Sequence, residues 1–364
     1  MVTLVSTTSC GLSAAPLRVT FINPATPANA FWEKLTDCMR YAAEDFGMEL
    51  SVVYLESEEV TSRFAYVQAA QKVVDQPVPP DYVIFVNLKD SGHRMLALFE
   101  QAHLPSLIIN SDIHPEDAAL VGEPRGKFSR WLGHLSPDDV QAGRELTQAL
   151  LAEAHRQHHD KPSILAINGA TNGTAASKRE EGLRSVLADQ TANLQYHVNS
   201  RTWRREDGAK IATNLLKRFP ETQIIWSGSD GLALGALDAS VKLNKRPAIG
   251  GIDWTDQGLE AVRDGRLAAS VGGHVLEGII ALTLIYDYAQ NKDFAPLTGT
   301  QISTTMMAAT PENIQTLQQR LAPDHLRRDD FKRLSRVGHA DAEDYDFSIP
   351  NLLGLLPAQT GSRE

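Results

Sequence analysis

The chain of 364 residues is short of cysteine, of positive charge and of long apolar runs, and each shortage removes a class of protein. Two cysteines, Cys10 and Cys38, cannot form a disulfide framework. Cys38 falls on the apolar face of a helical pattern and reads as a small core residue. A net charge of −10 lacks the basic footprint that phosphate binding demands, which argues against a nucleic-acid partner. No run reaches the roughly 18 apolar residues of a membrane span. The most apolar stretch, Gly278–Tyr286, reads as a core helix. Nucleotide motifs are missing as well. The glycine-rich turn Asn168–Thr174 departs from GxGxxG, no acidic residue ends the next strand to hold a ribose, and there is no phosphate-cradling lysine motif. His155 and His159 are one turn apart, but they stand among polar neighbours near a helix end, where histidines complement the dipole. No cofactor and no metal are therefore expected.

What is present is ordinary globular material, 42% hydrophobic and 22% charged, in a length that usually implies two domains. Residues 1–15 are small and largely apolar and end in a small-residue pattern before Pro16. They read as the remnant of a secretory signal peptide without its basic segment, which points to the periplasm. From Leu17 onward, β-forming runs alternate with helical periodicity. Strands are expected at Leu17–Ile22, Leu50–Leu55, Tyr82–Val86 and Ser106–Ile109, with Trp131–His134 as a short edge strand. A second series runs through Ser163–Ile167, Leu194–Val198, Ile224–Trp226, Ala248–Ile252 and Leu267–Val271, followed by one extended segment, Gln301–Met307. This is α/β texture in two similar halves, each a doubly wound parallel-sheet lobe. After Pro323 the rhythm is lost: residues 324–336 are densely charged, 339–346 are acidic, and Phe347–Leu356 is short and apolar. This tail reads as an element packed on the outside of a lobe, with a partner-docking surface as the alternative.

The stretch from Ile224 to Trp254 organises the rest. A short strand ends in Ser227-Gly228-Ser229, Asp230 is placed to cap the following helix, and a second strand ends at Asp253. In a parallel unit, Ser229 and Asp253 then lie side by side at the carboxyl edge, where open α/β sheets bind ligands. Other polar and aromatic residues share that position: Phe31 and Trp32 after the first strand, Asn87 after the third, Asn110 after the fourth, Arg179 and Trp203 in the second half, and His274 after its last core strand. Rings for sugar C–H faces and a fixed Arg179–Asp253 pair for hydroxyls suit a small polyhydroxylated ligand. One enzymatic alternative stands beside this. Ser227–Gly231 resembles a hydrolase nucleophile elbow, with serine where the first glycine belongs, and the order Ser229, Asp253, His274 is that of a triad.

The segment SDGLALGALDA…IGGIDWTDQGLEAVRDGRLAASV resembles the second lobe of ribose-type periplasmic binding proteins, and the likeness runs from about Leu17 to Leu321. The resemblance implies a non-enzymatic, type I periplasmic binding fold with two lobes joined by three hinge crossovers, near His134–Pro137, Gly272–His274 and Leu297–Gln301. It implies lobes of residues 16–135 plus 274–299 and 136–273 plus 300–323, with 324–364 as a C-terminal extension. By the same resemblance Phe31 and Trp32 after Asn29 stack the sugar, and Asn87, Arg179, Trp203 and Asp253 stand at ligand-binding positions. The departures are Asn110-Ser111 for an Asp-Arg pair, Ser229 for an asparagine, and Gly273 beside His274 for a glutamine. They remove several pentose contacts. The implied partners are a sugar-like ligand and the permease of an ABC importer, the receptor being a monomer. The tail keeps open a receptor partnering a membrane sensor kinase. The similar Lac-repressor-like regulators need a DNA-binding domain for which no room precedes Leu17.

Overall fold

The computed structural model describes residues 15–56, 62–337 and 344–355. The leader expected at residues 1–15 lies almost wholly outside them. Strands such as Tyr82–Val86 (YVIFV) and Ser106–Ile109 (SLII) carry apolar residues on both faces, the pattern of parallel strands covered by helices on each side. The described residues form twelve strands in two six-stranded sheets. In the first, β1 (Arg18–Ile22), β2 (Glu49–Val53), β3 (Tyr82–Val86), β4 (Ser106–Ile109), β5 (Trp131–Pro137) and β11 (Gln301–Thr304) lie in the order β2-β1-β3-β4-β5-β11, all parallel. In the second, β6 (Ser163–Asn168), β7 (Asn193–Asn199), β8 (Ile224–Ser227), β9 (Ala248–Ile252), β10 (Ala269–Gly272) and β12 (Met307–Ala309) repeat that order as β7-β6-β8-β9-β10-β12, with β12 antiparallel.

The first lobe is wrapped by α1 (Ala30–Phe46), α2 (Arg63–Val74), α3 (Gly92–Gln101) and the short α4 (Ala118–Val121). The second carries α5 (Asp139–Arg156), α6 (Thr174–Leu187), α7 (Arg205–Arg218), α8 (Asp230–Lys242) and α9 (Asp256–Arg263). The chain then returns through α10 (Glu277–Ala289), which packs on α1, and through α11 (Ala295–Thr298), before α12 (Ile314–Arg320) rests on α9. Helix α1 shows the local logic. Asn29 Oδ1 accepts the Trp32 amide at 3.2 Å, Leu35, Cys38, Met39, Ala42 and Phe46 are buried, and Gly47 stops the helix at φ 68°.

Three details differ from the expectations. The segment beginning at Trp131 is no short edge strand: β5 runs to Pro137 and lies between β4 and β11, so β11 takes the edge. The single extended segment expected over Gln301–Met307 is two strands in two sheets. The third passage between sheets therefore falls at Thr305–Met306 rather than at 297–301. The cap of α8 is Ser229, whose Oγ accepts the Leu232 amide at 3.2 Å, and this frees the Asp230 carboxylate for other partners.

The tail packs on the first lobe. Phe331, Leu334, Ile349, Leu352 and Leu353 are buried in the same apolar cluster as α1 and α10. Asp287 of α10 accepts from Ser335 Oγ, from the Arg336 amide at 2.7 Å and from Tyr345 Oη at 2.7 Å. The packed reading of the tail thus describes it better than that of a free docking surface.

Candidate functional site

Because eleven of the twelve strands run parallel within their sheets, their carboxyl ends gather the loops that carry the expected residues. Phe31, in the first turn of α1, meets Trp32 edge-on with ring centroids 4.9 Å apart and stacks on His274 at 4.6 Å. His274 Nε2 is 3.5 Å from Asp253 Oδ1, and Asp253 Oδ1 is 3.7 Å from Arg179 Nη1. The Arg179 guanidinium lies 5.4 Å from the Trp203 ring centroid. Trp32, Phe31, His274, Asp253, Arg179 and Trp203 therefore form one continuous chain of contacts from the first lobe to the second.

Each link has a local cause. Asp253 and Trp254 hold φ of 146° and 56°, values that side chains rarely adopt. Trp254 is fully buried, donates Nε1–H to the Ser270 carbonyl at 3.0 Å, and packs so closely on Gly272 that a Cβ there would sit 2.1 Å from its Cγ. Asp230 ties the same loop, accepting from the Thr255 amide and hydroxyl at 2.9 Å each and from Ser270 Oγ at 2.7 Å. Trp203 rests on Gly169, where a Cβ would come within 2.1 Å of the ring, so the glycine-rich turn after β6 serves a close ring contact.

Arg179 is buried. Nε donates to Asp139 Oδ1 at 2.7 Å and Nη1 to the Gly228 carbonyl at 2.7 Å. Burial works against its charge, but Asp139 and then Asp253 outweigh it and hold its pKa above the ordinary value. Burial, aided by the positive Arg179, pushes His274 down to about 3, so the ring is neutral at physiological pH. Asp253 is pushed up by desolvation, and Arg179 opposes the rise.

The other expected residues are placed differently. Asn29 spends its side chain on the α1 cap. Asn87 donates Nδ2–H to the Asp112 carbonyl at 2.9 Å and accepts the Gly92 amide at 2.8 Å, so its amide shapes loops. Ser229 Oγ, besides its capping bond, donates to the Trp203 carbonyl at 3.3 Å and has no bond to His274. Asn110 follows β4 at φ 68° with Nδ2 buried and unpaired among the described residues.

Sequence reasoning passed over Asp112, Asp139, Lys178 and Glu277. Lys178 Nζ meets the Asp112 carboxylate, and Lys34 Nζ meets Asp256 Oδ1 at 2.6 Å; both ion pairs join the two lobes. The only signal in the chain was adjacency. Lys178 precedes Arg179, Asp139 follows the α5 cap Asp138, and Glu277 stands one turn beyond His274.

A family model described as periplasmic binding protein domain matches residues 19–293. The ribose import binding protein of Haemophilus influenzae is 24% identical over 257 residues, covering 68% of this chain and 77% of that protein. A putative rhizopine-binding protein of Rhizobium meliloti is 25% identical over 280 residues, covering 72% and 83%. The structure of a periplasmic sugar-binding protein from Pseudomonas fluorescens superposes with a TM-score of 0.80 at 29% identity, covering 92% of this chain and 99% of that one. Two parallel-sheet lobes repeating one topology and three passages between them agree with those likenesses: this chain belongs to the periplasmic binding protein family.

Proposed function

We propose that the protein is a non-enzymatic periplasmic receptor that captures a small sugar-like ligand between its lobes, as a monomer, for the permease of an ABC importer. The observation that carries this reading is the unbroken contact chain from Phe31 through His274, Asp253 and Arg179 to Trp203. The rings offer faces to sugar C–H groups, and the carboxylate–guanidinium pair offers acceptors and donors to neighbouring hydroxyls. The ribose, rhizopine and sugar named for the relatives support the same ligand class. Ion pairs running from lobe to lobe suit a hinge that closes on its ligand.

Ser229 has its hydroxyl committed to Leu232 and Trp203, while His274 is turned to Phe31 and Asp253; this counts against a hydrolase. Thermal-shift screening with D-ribose, D-allose, L-arabinose, D-galactose and myo-inositol, beside ATP and NAD, tests the reading. A rise in Tm with at least one of the five polyols and with neither nucleotide is expected. A shift with the nucleotides alone contradicts it.

A further inference from the structure

The hinge holds a carboxyl group that the contact chain leaves unexplained. Glu277 opens α10 and its residue is fully buried. Oε1 accepts from Thr304 Oγ1 at 2.6 Å, and the Asn110 backbone amide lies against the same carboxyl group. Thr304 ends β11 and Asn110 follows β4, so both stand on the carboxyl edge of the first sheet. Glu277 Oε2 is buried without a hydrogen-bond partner among the described residues, and so are Asn110 Nδ2 and His274 Nδ1. An acid in the first turn of a helix complements the dipole. That role does not call for complete burial with one oxygen left unpaired, next to a residue whose side-chain amide is unpaired as well. Buried polar groups find partners, and a carboxyl oxygen and a side-chain amide lacking them on two neighbouring residues point to something that arrives from outside the chain.

We propose that Glu277 and Asn110 form a hydroxyl-reading corner at the hinge end of the cleft, donating hydrogen bonds to one hydroxyl of the ligand through Glu277 Oε2 and Asn110 Nδ2. The proposal rests on the sugar-receptor reading above and narrows its ligand class to an uncharged polyol. With Oε1 accepting from Thr304, the neutral acid carries its proton on Oε2, so one hydroxyl oxygen accepts from Oε2–H and from Asn110 Nδ2–H; a deoxy carbon accepts from neither. Burial, reinforced by Asp139 and Asp112, pushes Glu277 up to about 8, so the corner is uncharged at neutral pH and does not favour a cationic amine. A site built around a hydroxyl rejects the analogue that lacks it, because its own buried groups are then left unpaired.

The test is isothermal titration at pH 7 of the wild type, Glu277→Gln and Asn110→Gly. The probes are whichever of the five polyols binds the wild type and its monodeoxy analogues. Glycine suits position 110, where φ is 68°. In the wild type, one deoxy position is expected to raise Kd about tenfold or more. In the variants, the parent polyol weakens about tenfold and that same position is no longer discriminated. Parent affinities within about twofold of wild type in both variants overturn the proposal. So does a uniform loss for the parent and every deoxy analogue, the mark of a merely structural group. If Glu277→Gln melts far below the wild type, Asn110→Gly alone decides. A wild type that binds none of the five overturns the corner together with the receptor reading, whereas unchanged variants overturn the corner only.

Discussion

At residue scale the site depends on groups that burial forces out of their usual ionisation. Glu277 is the plainest case, raised from 4.5 to about 8 by burial. The folded protein therefore keeps a proton that the unfolded chain gives up. Below pH 4.5 both states hold it and the group is neutral to stability. As pH climbs from there through about 8, the unfolded state gains and the fold loses stability. Tm measured from pH 5 to 9 is expected to fall more steeply for the wild type than for Glu277→Gln, whose amide does not titrate; parallel profiles contradict the shift. His274 works in the opposite direction and in a different window. Its folded value near 3 costs stability as pH falls below 6.5, where the unfolded ring takes a proton. The two contributions are thus separable above pH 7. Asp253 owes its position to strain, since the positive φ at 253 and 254 costs about 1–3 kcal/mol each. The loop holds because buried Trp254 and the three hydrogen bonds to Asp230 leave it no alternative.

At the scale of elements, the two lobes were legible because strands covered on both faces print apolar runs, and the intervening helices print their own period. Where pairing decided, the chain was less informative. QISTTMMAA contains no Gly, Pro, Asn or Asp, and its division at Thr305 follows from β11 pairing with β5 and β12 with β10. The residues that met across the lobes, Phe31, Trp203, Asp253 and His274, were visible because strand ends mark them. Asp112, Lys178 and Glu277 were not visible, because their meaning lies in partners distant in sequence. Asn29 and Asn87 show the converse: right in position, they spend their amides on the local backbone. The helix pair that carries Arg179 offers a test of its own. A Cβ on Gly143 of α5 would sit 2.0 Å from the Arg179 carbonyl oxygen, so α5 and α6 touch backbone to backbone. Gly143→Ala must push α6 outward and pull Arg179 from Asp253. Circular dichroism melts are expected to show a destabilisation of about 1–3 kcal/mol, with weaker polyol binding at temperatures where the variant stays folded. Unchanged stability and affinity would mean that the helices separate at no cost.

At the scale of the whole molecule, two lobes of one topology face each other with their strand ends inward, and the chain passes between them three times. Gly273, at φ 135°, sits in the second passage, and Ile349 of the tail packs there: a Cβ on Gly273 would lie 2.8 Å from its Cδ1. The tail therefore braces the hinge as well as the outer face of α1 and α10. Outside the hinge, Lys34–Asp256 and Lys178–Asp112 bridge the lobes by charge, and the chain from Phe31 to Trp203 bridges them by rings and polar groups. If that shared surface is where a polyol is held, a single side chain at its centre must govern the affinity. The most direct measurement is isothermal titration of the wild type and Asp253→Ala with the five polyols. The account predicts micromolar binding of at least one by the wild type, about −8 kcal/mol, and a loss of tenfold or more, about 1.4 kcal/mol, in the variant. Equal affinities in the two proteins, or no heat with any of the five, would contradict it.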